Sequence, residues 1–211
     1  MSKIAVFGAG GRAGRAAVGE ARQRGHQVTA VVRDPAKYGD LAADGVHLLA
    51  GDVTDVNSVA RVAQGHDAAI SAVYDAGAQP EAFFTGAARA LLDGLTRAGV
   101  GRLLVVGLAS VLKTASGVAL MDTPGYPQEY RSFYLGHAAG IETLRAATTE
   151  LDWLVVSPAG DFDHGGVRTG RYWTAAAEAT SRVSYADFAV ALLDEIDTAK
   201  HHRAHLGIKA G

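Results

Sequence analysis

Ile4-Ala5-Val6-Phe7-Gly8-Ala9-Gly10-Gly11-Arg12-Ala13-Gly14-Arg15 decides the fold. Ile4 to Phe7 is a short apolar run with β-branched residues, which reads as a buried strand. A helix follows from about Gly11 to Arg24. Between them Gly8, Gly11 and Gly14 make a G-x-x-G-x-x-G spacing. Gly8 permits the tight turn, Gly11 lets a pyrophosphate approach the backbone, and Gly14 lets the helix pack close to the sheet. The helix N-terminus then offers free N–H groups to the anion. The same spacing also serves a merely tight structural turn. Its place after a strand, before a helix and within a βαβ unit points to dinucleotide binding.

Outward from this turn, short apolar runs alternate with alanine-rich helical stretches. Strands are predicted over Gln27 to Val32, Val46 to Ala50, Ala68 to Ala72, Arg102 to Val106 and Trp153 to Ser157. Helices are predicted from Pro35 (short), from Val56 to Gln64, Pro80 to Arg97 and Gln128 to Thr149. The strands are continuously apolar, as they are when helices cover both faces of a parallel sheet. The pattern predicts an α/β fold, a doubly wound parallel sheet of the Rossmann-like kind. After Pro158 the rhythm changes. Asp161 to Tyr172 reads as a Gly-rich, charged loop. Tyr185 to Ile196 reads as a helix with Ser184 as its N-cap, and His205 to Lys209 as a last edge strand. The reading is a single domain over 1–211, with 159–211 contributing the substrate side.

Composition narrows the function classes. The chain has 211 residues, 48% hydrophobic and 20% charged, with net charge -2. Such a chain buries roughly 70% of its unfolded surface without staples. A basic nucleic-acid footprint is not visible. The absence of cysteine excludes disulfides, thiolate zinc sites and cysteine nucleophiles. No apolar run reaches the ~18 residues that span a bilayer, and Met1-Ser2-Lys3 runs straight into a strand. The expectation is a cytoplasmic protein, monomer or homodimer, with no nucleic-acid or membrane partner.

The second strand ends Val31-Val32-Arg33-Asp34, so Arg33 stands where NAD sites place an acidic residue for the ribose 2′-OH. Arg12 lies in the turn itself. Two guanidinium groups near one ribose suit a 2′-phosphate and hence NADP, with NADPH preferred over NADH. Asp34 remains able to accept a hydroxyl. Gly51-Asp52-Val53 ends the third strand, where an adenine edge would lie; Asp52 also reads as a helix-start residue.

Gly8-Ala9-Gly10-Gly11-Arg12-Ala13-Gly14, Arg33-Asp34-Pro35, Gly51-Asp52-Val53-Thr54-Asp55, the stretch from Leu151-Asp152-Trp153 to Ser157-Pro158-Ala159, and Val183 to Ala189 together carry a resemblance. They resemble the atypical short-chain dehydrogenase/reductase group of NAD(P)H-binding, NmrA-like proteins. The nearest look is to small NAD(P)H-flavin reductases of the biliverdin reductase B type. The resemblance implies NADP in an open cleft, held by Gly8, Gly10, Gly11, Arg12, Ala13, Gly14, Arg33, Asp52 and Val53. It also implies that Ser71, Ala72 and Val73, and Leu108, Ala109 and Ser110, flank the cofactor. Pro158 would stand near the nicotinamide.

Carbonyl-reducing members of that class use Ser with Y-x-x-x-K, in which lysine lowers the tyrosine pKa. None of the seven tyrosines has Lys four residues later, and no lysine lies between Lys113 and Lys200. Tyr134-Leu135-Gly136-His137-Ala138 carries Ala at that place. The remaining catalytic candidates are Ser110, Tyr134 and His137. Their structural readings are a turn cap, a core aromatic and a surface histidine. Asp161-Phe162-Asp163-His164 is too thin for a metal set, and His201, His202 and His205 read as a solvated end. Val111 to Glu129 reads as a lid over the substrate or as an excursion packed on the sheet end. Phe162, Tyr172 and Trp173 read as an aromatic wall or a satellite core.

A flavin or quinone takes hydride without a strong protein acid. The first expectation is therefore an NADPH-dependent reductase of a small planar acceptor. The alternatives are a redox-sensing NADP-binding regulator, or a reductase or isomerase of a specialised aromatic metabolite.

Overall fold

The computed structural model describes residues 1–211. Ten strands and five helices follow in chain order. They are β1 Lys3–Phe7, α1 Arg12–Gln23, β2 Gln27–Val32, β3 Val46–Ala50, α2 Val56–Ala63, β4 Ala68–Ser71, α3 Pro80–Ala98 and β5 Arg102–Val106. Then come α4 Arg131–Ala146, β6 Asp152–Pro158, β7 Asp161–Asp163, β8 Tyr172–Thr174, β9 Arg182–Ser184, α5 Tyr185–Asp197 and β10 Ala204–Ala210. Eight strands form one sheet in the order β3-β2-β1-β4-β5-β6-β10-β8. All its pairings are parallel except β10 with β8.

Successive strand residues feed opposite cores, as the period of two requires. Ile4 and Val6 pack with Leu192 and Leu193 of α5 and with Ala17 and Ala21 of α1. Ala5 and Phe7 pack with α2, α3 and α4 through Val59, Leu95 and Ile141. Burying each large side chain contributes roughly 1.5–3 kcal/mol. The expected doubly wound arrangement is present, with α1 and α5 on one face and α2, α3 and α4 on the other.

Three expectations need correction. The segment read as a loop over 161–172 contains β7, which pairs in parallel with β9, and it leads directly into β8. Three-residue strands are too short for alternation to show. β10 is an interior strand, because β8 pairs with its Ile208, Lys209 and Ala210 and takes the edge. α4 is shorter than the predicted 128–149. Gln128 uses its Nε2 to donate to the carbonyls of Met121 and Tyr126, 3.0 and 2.9 Å away, which holds it in the loop. Thr149 accepts from Leu151 N through Oγ1, closing a turn rather than extending the helix.

Candidate functional site

The glycine turn lies at the C-terminal end of β1, where the strand neighbours continue as β2 and β3 on one side and β4 on the other. A cleft of ≈ 750 Å³ opens there. Gly8, Gly10 and Gly11 form its floor. Arg33, Asp52 and Val53 border it on one side, and Ala72 and Val73 on the other. Gly8 has φ +77, a conformation that side chains disfavour, and a Cβ there would lie 2.3 Å from the Ala72 carbonyl oxygen. The N–H groups of Gly8 and Ala9 both donate to the Val31 carbonyl, at 3.1 and 3.2 Å. A Cβ on Gly14 would lie 2.2 Å from the Gly8 carbonyl oxygen, so the helix can pack this close only with glycine.

No side chain caps α1 at Gly11. The first-turn N–H groups of Arg12 and Ala13 therefore lack an intrahelical acceptor. A cradle of uncapped N–H groups with cations on its rim fits the pyrophosphate and phosphate groups of a dinucleotide.

The cations are arranged differently from the sequence-based expectation. Arg33 borders the cleft, with its side chain 67% exposed and Nη1 2.5 Å from Asp75 Oδ2. Arg12 does not join it. Its Nη1 donates to His164 Nδ1 at 2.7 Å, because the segment after β6 brings His164 down beside the start of α1. The second cation on this rim is Lys37, whose Nζ lies 3.3 Å from Asp34 Oδ2. Lys37 was legible as the next cation in the turn after β2. Asp75 had no local signal, since its role depends on how the loop after β4 curls. The Gly77 N–H, and then Arg33, hold the Asp75 carboxyl below its ordinary range. Asp52 borders the cleft with Oδ1 accepting from Thr54 N and Oγ1, at 2.8 and 2.7 Å, while Asp55 is the true N-cap of α2.

At the other end of the site, a small cavity of ≈ 30 Å³ lies between the sheet and α3 and α4. Ser71, Gly107 and His137 line it, and Val73 borders both this cavity and the cleft. His137 is buried, not on the surface. Its ring centroid lies 3.7 Å from that of Phe84 and 5.0 Å from that of Phe133. Burial, with a smaller contribution from His205, pushes its pKa down to about 3. Tyr134 is half-buried and meets Tyr126 edge to face at 5.7 Å. Burial, then the charges of Glu129 and Tyr130, raise its phenol.

Ser110 is 2% exposed and its Oγ finds no partner. A buried hydroxyl without a partner is uncommon and marks a site to test. Ala109 packs with Leu112, Leu120 and Ala177, and Leu108 is half-buried beside it. Pro158 is buried and pairs in register with Ile208.

The stretch 111–129 packs down rather than standing free. Leu120 N donates to the Leu112 carbonyl at 3.0 Å, Ala177 N to the Lys113 carbonyl at 2.9 Å, and Arg131 pairs with Asp122 at 2.7 Å. Phe162 stacks on Tyr185 at 4.1 Å, and Tyr172 donates to Asp194 Oδ2 at 2.8 Å. Both pack on the core, whereas Trp173 is 62% exposed on the edge strand. Of the C-terminal histidines, His202 is exposed as expected, whereas His201 and His205 are half-buried. His201 lies 2.7 Å from Glu195, His202 2.7 Å from Asp152, and His205 Nε2 2.7 Å from Ser157 Oγ.

Comparison with known proteins adds the following. The NAD(P)H-binding family matches residues 8–197. The uncharacterized protein YwnB of Bacillus subtilis (strain 168) is 37% identical over 207 residues, covering 94% of each chain. A candidate NADH-flavin reductase of Streptococcus pneumoniae TIGR4 is 32% identical, with TM-score 0.85 over 100% of both chains. A candidate epimerase of Bacteroides thetaiotaomicron is also 32% identical, with TM-score 0.85 over 99% of this chain and 97% of the other.

Proposed function

The chain belongs to the NAD(P)H-binding family, and from that premise we propose that it is an NADPH-dependent reductase of a planar acceptor, a flavin or a quinone. The reading is carried by the two cations that stand on the cleft rim, Arg33 and Lys37, with no tyrosine–lysine pair anywhere in the chain to deliver a proton. Arg33 and Lys37 on the rim suit a 2′-phosphate. The uncapped N–H groups at the start of α1 would hold the pyrophosphate, and Gly8 and Gly14 keep the turn low enough for it to approach.

When bound, the nicotinamide supplies the hydride. Val73, which borders both the cavity and the cleft, would exclude water from one side of the acceptor. With a pKa of about 3, His137 is neutral between pH 6 and 9 and can orient a polar group but carries no spare proton. Tyr134, raised by burial, has no lysine to activate it. On this reading the acceptor takes hydride at an electrophilic atom and draws its proton from water, as a flavin or quinone does.

The test is single-turnover oxidation of NADPH with FMN or a quinone at saturation, between pH 6 and 9. Turnover with both is expected. Tyr134→Phe, Ser110→Ala and His137→Ala should each lose roughly 3–30-fold, the size of a positioning contact. A dedicated general acid would instead cost about 10²–10⁴. A thousandfold loss in one variant, with NADPH affinity intact, would move the assignment to a carbonyl-type substrate. Tight NADPH binding with no turnover would favour a redox-sensing regulator.

A further inference from the structure

Arg33 and Asp75 form a contact whose position matters more than its strength. Arg33 follows β2 and Asp75 follows β4, 42 residues away. β1 lies between those two strands in the sheet. The ion pair therefore joins the two walls of the cleft, on either side of the strand that carries the glycine turn. Both residues border the cleft.

The two partners are unequally free. Asp75 is set in place by its own loop: Oδ1 accepts from the Gly77 N–H at 2.9 Å, leaving Oδ2 for Arg33. Arg33 is the mobile partner by chemistry, a long side chain 67% exposed that makes this one side-chain hydrogen bond. A 2′-phosphate would take the same guanidinium in a two-point contact. It would then meet the Asp75 carboxylate, already fixed and negative. A ribose that carries only a 2′-hydroxyl makes no such demand and can leave the ion pair closed.

We propose that Asp75 is a specificity-determining residue that competes with the 2′-phosphate for Arg33, and so limits the preference of the site for NADPH over NADH. The proposal rests on the reading of Arg33 as the 2′-phosphate ligand. Lys37 faces a weaker version of the same competition, since its carboxylate partner Asp34 stands at 3.3 Å and both are exposed at the rim.

The experiment titrates the full chain with NADPH and with NADH by nucleotide fluorescence. It uses the wild type, Asp75→Asn, Arg33→Ala and the double variant. Asn keeps the Oδ1 acceptor for Gly77, so the loop is preserved. Asp75→Asn should tighten NADPH about three- to tenfold, the scale of releasing one exposed ion pair and removing one repulsion. NADH affinity should stay within about twofold. In the Arg33→Ala background the same substitution should tighten NADPH clearly less, by about twofold at most, since no guanidinium is left to release and only the screened repulsion is removed.

Asp75→Asn without effect on NADPH overturns the proposal, as does equal tightening of both nucleotides. Weaker NADH binding in Asp75→Asn would also overturn it, by showing that Asp75 holds a ribose hydroxyl. Arg33→Ala separates this failure from that of the underlying reading. A selective loss of NADPH of about tenfold or more keeps the 2′-phosphate assignment even if Asp75 is silent. Equal losses for both nucleotides remove that assignment and the proposal with it.

Discussion

Gly11 and Gly14 look alike in the sequence and differ in the fold. A Cβ on Gly14 would collide with the Gly8 carbonyl oxygen at 2.2 Å, whereas one on Gly11 would meet that same atom at 3.5 Å, an ordinary contact. The protein alone therefore does not need glycine at position 11, and only a bound pyrophosphate would. Gly11→Val should fold, with a melting temperature within about 3 °C of wild type, equivalent to about 1 kcal/mol or less. NADPH binding should fall below detection. Gly14→Val should instead lose stability by about 3 kcal/mol or more, because backbone must move to admit the side chain. Thermal melts with NADPH titrations of both variants decide the matter. Gly11→Val with wild-type affinity would make this turn structural only. Arg12 stands next to the turn yet points to His164, while Lys37 reaches the rim from further along the chain.

The start of α5 joins the fold to the substrate side. Ser184 caps the helix, with Oγ accepting from Asp187 N at 3.0 Å, as the sequence pattern predicts. Asp187 does something the pattern does not announce. Its carboxylate, on a residue 2% exposed, accepts from Thr169 N, Thr169 Oγ1 and Gly170 N at 2.8, 2.8 and 2.7 Å. It thereby pins the connection between β7 and β8 to the helix. Losing the cap should cost about 1 kcal/mol. Losing the carboxylate removes three hydrogen bonds to a charged acceptor, together about 2–4 kcal/mol once the exposed Thr169 and Gly170 turn to water. Urea denaturation should therefore rank Asp187→Ala well below Ser184→Ala in stability. Limited proteolysis of Asp187→Ala should cut first within 164–171. Equal midpoints for the two variants would show that the connection is held by other contacts.

Across the whole molecule, the two depressed histidines sit on different elements, His137 on α4 and His205 on β10. Burial pushes His137 down to about 3; burial, followed by the charge of Arg145, pushes His205 down to about 4. In the unfolded chain both titrate near 6.5. As the pH falls below about 6.5, the unfolded chain takes up protons that the folded one refuses. Stability is full above that value and falls steadily toward pH 4, by up to about 1.4 kcal/mol per pH unit for each histidine. Carboxylates held low in the fold, such as Glu20 beside Arg168, lose their contribution only below about 4.5. The window from pH 6.5 to 4.5 thus belongs to the histidines. Melting temperature should drop through it in the wild type and drop less in His137→Phe, whose ring can keep the contacts with Phe84 and Phe133. A flat wild-type profile between those values would show that both rings are solvated.

The alternation of strand and helix, the two-faced sheet, the glycine turn and the missing tyrosine–lysine pair are all written in the order of residues. Those properties are local: backbone sterics at Gly8, β-branching in Ile4 and Val6, and the spacing of apolar residues act within a few positions. It took the folded chain to bury His137 and half-bury His205, to give β8 the sheet edge, and to bring Lys37, not Arg12, to the rim beside Arg33. The tertiary structure alone placed Asp75 across the cleft from Arg33. Each of these depends on segments far apart in the chain meeting at a strand end, and a side chain's direction and burial are set by what arrives there, not by its neighbours in sequence.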